Sequence, residues 1–157
     1  MSRRRKAIKR PMVPDPVYNS YVLSKFVNKV MKSGKKSTAR KIVYNALVKF
    51  AKRVKAEDPL TAFEQALENA KPMLEVKSRR IGGATYQVPV EIPADRRISM
   101  GMNWIIQYAS EKPGKSMEEG LAQELADCFN NQGSTIKKKD DTHKMAEANK
   151  AFAHYKW

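Results

Sequence analysis

Apolar residues recur at helical spacing over most of the chain. From about Ser20 to Ser33, Val22, Leu23, Phe26, Val27, Val30 and Met31 share one face, and Gly34 follows as a stop. The same period through Ala39, Ile42, Val43, Ala46, Leu47, Phe50, Ala51 and Val54 predicts a second helix. A third opens with Asp58 as N-cap and Pro59 at its first position, buries Leu60, Phe63, Ala66 and Leu67, and ends before Pro72. From Met73 to Ile92 the pattern alternates around Gly82-Gly83, which predicts a β-hairpin. Tyr86, Val88, Val90 and Ile92 share one face of its return strand, and Pro89 marks that strand as an edge. Two strands alone are marginal in water, so the hairpin is expected to lean on something outside the domain. A fourth helix, from near Ala94, turns Ile98, Met102, Ile105 and Ala109 inward. A fifth begins with the capping box Ser116–Glu119, buries Met117, Leu121, Leu125 and Cys128, and stops at Gly133. A sixth is expected from Asp140 or Asp141 to the C-terminus through Met145, Ala148, Phe152 and Tyr155. The fold class is therefore mainly α, a bundle of about six helices with one protruding hairpin.

Composition adds a partner to this picture. The 157 residues suit one domain with an ordinary share of apolar residues, yet the formal net charge is +15. Residues 1–55 hold 17 Lys and Arg against one acid, Asp15; the remainder holds 14 basic and 15 acidic residues. Charge concentrated this way marks a face for a polyanion, whereas charge serving solubility is spread out. Arg3, Arg4, Arg5, Lys6, Lys9 and Arg10 form a self-repelling arm, expected to be disordered until a polyanion orders it. Pro11, Pro14 and Pro16 make a stiff connector, so residues 1–16 are read as arm and connector and 17–157 as one helical domain.

The longest uncharged stretch, from Ile98 to Ser110, is too short to span a bilayer, and no apolar segment follows the basic start as in a secretory signal. A single cysteine, Cys128, suits a reducing compartment, either the cytoplasm or the interior of an organelle that encodes the protein.

Three places could carry binding chemistry. Lys25, Lys29 and Lys32 recur at i, i+4 and i+7 across from the apolar stripe of the first helix, and Lys35, Lys36, Arg40 and Lys41 continue the patch. A solvated lysine face is the plain alternative, weakened here because no acids are interleaved. The hairpin tip offers Lys77, Arg79, Arg80, Gly82 and Gly83, which could reach into a groove or could simply blunt an edge strand. The fourth helix places Arg96 and Arg97 in its first turn, where the helix dipole disfavours cations, so an outside partner is expected for them. Trp104 and Tyr108 continue that face; packing against a neighbouring helix is the better reading for them than stacking on bases. A catalytic or metal constellation is not evident. His143, Glu147 and His154 fall short of a ligand set, and Cys128 occupies a core position. No cofactor is implied.

Several runs, in order and spacing, carry a resemblance: SRRRKAIKR, KFVNKVMKSGKKSTARKIVYNAL, SRRIGGATYQVPVEI, the KSM opening the fifth helix, and THKMAEANKAFAHYKW at residues 142–157. Together they resemble the bacterial small-subunit ribosomal protein seven family over essentially the whole chain. The resemblance implies a non-enzymatic protein that binds small-subunit ribosomal RNA and nucleates assembly of the subunit's head. It places Arg3, Arg4, Arg5, Lys6, Arg10, Lys25, Lys29, Lys32, Lys35, Lys36, Arg96 and Arg97 against ribosomal RNA. It also puts Arg79, Arg80, Gly82 and Gly83 near exit-site transfer RNA and messenger RNA, with small-subunit proteins nine and eleven as neighbours. Asn103 and Ser110 stand where many relatives carry arginine. Two rival readings of the same basic face are a DNA-architectural protein and a module that docks acidic proteins.

Overall fold

A computed structural model describes residues 11–155. The expectation of a disordered arm falls on residues 1–10 and lies outside the described residues. Within them run six α-helices: α1 (Tyr21–Val30), α2 (Lys36–Val54), α3 (Pro59–Ala70), α4 (Ala94–Ser110), α5 (Met117–Phe129) and α6 (Gly133–Ala148). Strands β1 (Leu74–Ile81) and β2 (Ala84–Glu91) form the antiparallel hairpin between α3 and α4, and a 3₁₀ segment, Lys150–Tyr155, closes the chain.

The apolar stripes converge on one core. Leu23, Phe26 and Val27 of α1 meet Val43, Leu47 and Phe50 of α2, Phe63 and Leu67 of α3, Met102 and Ile105 of α4, and Leu121 and Leu125 of α5. The pivot is α5, which packs on α2, α3, α4 and α6. Its approach to α4 is close enough that a Cβ on Gly120 would lie 2.4 Å from the Ala109 carbonyl oxygen, so only glycine fits. Three helix starts are capped as their residues imply. The Ser20 hydroxyl accepts from the Leu23 amide at 3.3 Å, the Asp58 carboxylate accepts from Leu60 and Thr61, and the Ser116 hydroxyl accepts from Glu119 at 3.4 Å.

Three helices, α1, α5 and α6, differ from expectation at their boundaries. First, α1 ends at Val30 rather than near Ser33, because Met31 is already extended and Ser33 (φ 52) and Gly34 (φ 73) both turn left-handed. Second, α5 stops at Phe129, and Gly133 opens α6 instead of closing α5. The cause is a long-range cap: the buried Glu124 carboxylate of α5 accepts from the Thr135 amide (3.1 Å) and hydroxyl (2.7 Å), satisfying the first turn of α6. That helix ends at Ala148, so Phe152 and Tyr155 belong to the 3₁₀ segment.

The hairpin does not depend on an outside support. Its Gly82-Gly83 turn, with φ of 55° and 92°, is the left-handed two-residue loop that matches strand twist. Along its length the Tyr86 ring packs on Phe152 and Tyr155 at centroid distances of 5.4 and 5.1 Å, and β1 lies along α6. At its base the Met73 amide donates to Nε2 of His143 at 2.9 Å. Burial, then the Lys139 charge, hold the His143 imidazole below its ordinary value. A depressed folded value means that the unfolded chain binds the proton more readily, so the contribution is complete above about pH 6.5 and is lost as pH falls through the folded value. Amide exchange at Met73 should therefore accelerate on acidification below that point, and His143→Ala should abolish the pH dependence. An exchange rate indifferent to pH, once corrected for intrinsic exchange, would contradict the assignment.

Candidate nucleic-acid interface

The single acid of the basic third is spent inside the fold. Asp15 is 3% exposed, and its carboxylate accepts from the Tyr44 hydroxyl at 2.8 Å and from the amides of Val17 and Tyr18. Burial and the Asp15 carboxylate push the Tyr44 phenol up to about 12, so the hydroxyl keeps its proton as donor. This contact pins the proline connector to α2 and leaves no carboxylate of the first 55 residues to neutralise the lysines.

Those lysines sit on two elements and the turn between them. Lys25 and Lys29 are half-buried on α1, Lys32 lies exposed in the turn beyond the helix, and Lys35 and Lys36 are exposed at the start of α2. Lys32 thus continues the cationic face without sharing the helix. Lys29 is held in place, its ammonium donating to Oδ1 of Asn103 on α4 at 2.7 Å. Burial, then repulsion from Lys25, pull the Lys29 ammonium below its ordinary value, a cation short of counter-charge. Lys29, Lys32 and Lys35 line one cleft of about 330 Å³, and Lys25 lines a shallower one with Met12 and Tyr21 where the connector meets α1. Among the described residues, no carboxylate forms an ion pair with these four lysines. Lys49, by contrast, pairs with Glu118 at 3.2 Å.

The arginines of α4 also have partners inside the fold, which the helix-dipole argument does not anticipate. Arg96 donates to the Glu75 carboxylate of β1 at 2.9 Å, and Nε of Arg97 donates to the Pro72 carbonyl at 3.1 Å. Although burial pushes the Glu75 carboxyl up, Arg96 and then Lys77 outweigh it and hold it below the usual range. These contacts fasten the start of α4 to the base of the hairpin. Each guanidinium keeps further N–H donors, and Arg96 remains exposed. Trp104 and Tyr108 are half-buried.

At the hairpin, Arg79 donates to the Tyr155 carbonyl and is half-buried, whereas Arg80, Gly82 and Gly83 are exposed. Since α1 packs on α2 and α4 while the hairpin packs on α6 and the 3₁₀ segment, the lysine face and the hairpin tip are carried by different parts of the molecule. Arg3, Arg4, Arg5, Lys6 and Arg10 lie outside the described residues. Sequence reasoning missed the contact of Asn103 with Lys29 and the apolar floor of the lysine cleft, because Asn103, Ile106 and Met117 come from α4 and α5, far along the chain from the lysines.

The remaining chemistry is structural. Cys128 is fully buried, and burial followed by Glu124 pushes its thiol up to about 12, so it packs as a small apolar group. Among the described residues there is no metal-binding group of His, Cys, Asp and Glu, and no helix is long and apolar enough to cross a membrane.

Relatives match the whole length of the chain. It is 76% identical to the small ribosomal subunit protein uS7 of Protochlamydia amoebophila, over 100% of both chains. The proteins of the same description from Chlamydia abortus and Chlamydia trachomatis are 69% and 68% identical, again over 100% of both chains. A family model described as Ribosomal protein S7p/S5e matches residues 2–150, in agreement with the motifs spread along the sequence. The chain belongs to the ribosomal protein S7p/S5e family.

Proposed function

We propose that the chain binds small-subunit ribosomal RNA directly and, by doing so, nucleates folding of the subunit's head. Membership of a ribosomal protein family makes it a structural ribosomal component and bears out the reading of a non-enzyme. The binding face combines Lys25 and Lys29 of α1, Lys32 in the turn, and Lys35 and Lys36 at the start of α2, with Arg3, Arg4, Arg5, Lys6 and Arg10 of the arm wrapping the same RNA. Arg96 and Arg97 contribute through the N–H donors that their internal contacts leave over. The hairpin tip, with Arg79, Arg80, Gly82 and Gly83, is assigned to the neighbourhood of exit-site transfer RNA and messenger RNA, and small-subunit proteins nine and eleven are the expected protein neighbours.

The observation that carries this reading is a cationic face whose lysines pair with no carboxylate among the described residues, while the one acid of the first 55 residues, Asp15, is buried and engaged elsewhere. A face that neutralises phosphates releases counterions and gains affinity without competing internal pairs. Competition separates it from the DNA-architectural rival. Labelled head-domain ribosomal RNA should resist displacement by excess duplex DNA, because folded RNA is recognised through junctions, loops and 2′-hydroxyls. Displacement at equal concentrations of the two would remove the ribosomal RNA reading.

A further inference from the structure

The lysine cleft has a shape as well as a charge. Its volume of about 330 Å³ lies at the low end of the range for small-ligand sites, roughly 300–1,000 Å³. The floor is apolar, made by Val30, Ala39, Ile42, Ile106 and Met117 from α1, α2, α4 and α5, while Lys29, Lys32 and Lys35 stand at the rim. Two hydroxyls complete it: Thr38, and Ser110, whose Oγ donates to the Gln107 carbonyl and so keeps its lone pairs for an incoming donor. The first turn of α2 borders the cleft without a side-chain cap or an acidic residue; the Lys36 amide is taken by the Gly34 carbonyl, and the positive end of the helix favours an anion. An apolar slot with cations on one side is a poor water site and a good match for a flat base attached to a phosphate.

We propose that this cleft receives one unstacked nucleotide of the bound RNA, with its base on the Ile42–Ile106–Met117 floor and its phosphate among Lys29, Lys32 and Lys35. The proposal rests on the RNA-binding reading and gives that face a means of telling a splayed-out nucleotide from continuous duplex. Asn103 acts as a positioning residue by holding the Lys29 ammonium at the rim. An acidic peptide could satisfy the lysines, but a floor with five apolar side chains suits a base better than a chain of carboxylates.

The test uses the full-length chain and head-domain ribosomal RNA. Thr38 is exposed in the first turn of α2, so Thr38→Trp obstructs the cleft without touching charge or core. It should lower affinity by roughly five- to a hundredfold, the range that base stacking on a protein supplies, with the salt slope unchanged. One position in an abasic scan of the RNA should reproduce the loss and add nothing to it in the Thr38→Trp background. On the unmodified chain, RNA should slow peroxide oxidation of Met117 several-fold. Parental affinity in Thr38→Trp, or unprotected Met117 in the RNA complex, would overturn the nucleotide site while leaving salt-dependent RNA binding in place, and an acidic-peptide occupant would give that pattern. Absence of salt-dependent binding in the parent chain would remove the RNA reading itself.

Discussion

Replacing Lys25, Lys29 and Lys32 together by alanine is expected to lower affinity for head-domain ribosomal RNA by roughly two to three orders of magnitude near 0.1 M salt. Each lysine that neutralises a phosphate contributes about 0.9 to the slope of log affinity against log salt, so three contribute about 2.7. The parent and the variant should converge as salt approaches 1 M, where counterion release no longer favours binding. Stability should change little, because α1 is held by Leu23, Phe26, Val27 and Val30, and the only side-chain hydrogen bond removed among the described residues is the exposed one from Lys29 to Asn103. Lysine-to-arginine replacements at the same three positions should keep the slope. Equilibrium binding across a salt series, with thermal unfolding alongside, checks both halves. A triple-alanine variant that unfolds would mean that these side chains face the core, and one with an unchanged slope would mean that they face solvent.

The second large effect concerns the fold. Lys112→Met should destabilise the chain by about 3–5 kcal/mol, the usual cost of stranding a buried carboxylate. Lys112 lies just beyond α4, with its ammonium 2.9 Å from both Glu124 and Asp127 of α5. The Glu124 side chain is only 1% exposed, and its other oxygen is committed to Thr135. Burial alone would lower the Lys112 value, yet the Glu124 and Asp127 carboxylates beside its ammonium raise it, so the ammonium stays charged. One lysine therefore ties together the α4–α5 turn, the middle of α5 and the start of α6. Denaturant unfolding of Lys112→Met, Glu124→Gln and the double variant measures the coupling. The double variant should recover much of the loss, since a neutral amide can still accept from Thr135. Strict additivity of the two single effects would contradict the clasp.

Much of this fold was legible because local signals and core burial agree. The stripes of α1 to α5 put Leu23, Phe26, Phe50, Phe63, Met102, Ile105 and Leu121 where periodicity expects them. Where the reading failed, the deciding contact is remote. The first nine residues of α6, GSTIKKKDD, carry one strongly apolar residue, and their cap is a carboxylate on the preceding helix, so nothing local announces a helix start. Gly133 has the residue type of a helix stop, but its left-handed φ of 88° serves the entry to the next helix. The support of the hairpin comes from Phe152 and Tyr155 in a 3₁₀ turn whose apolar spacing imitates a helix.

The binding face divides in the same way. Its charge is visible in the sequence as a count, and its lysines follow from local spacing. The pairing of Arg96 with Glu75, the anchoring of Lys29 by Asn103 and the floor of the cleft all join segments more than 20 residues apart. No pattern along the chain encodes them. The internal engagement of Asp15 is the most consequential of these, since on paper it is the one group that could have offset the lysines.

Titrating the full-length chain into isolated head-domain ribosomal RNA, with salt varied between about 50 and 200 mM, puts the electrostatic account at risk most directly. With about six phosphates engaged, affinity should fall roughly a thousandfold across that range, along a straight line in log–log form. Binding that barely responds to salt, or no binding at the lowest salt, would mean that the unpaired lysines of α1, its turn and α2 serve some purpose other than gripping a phosphate backbone.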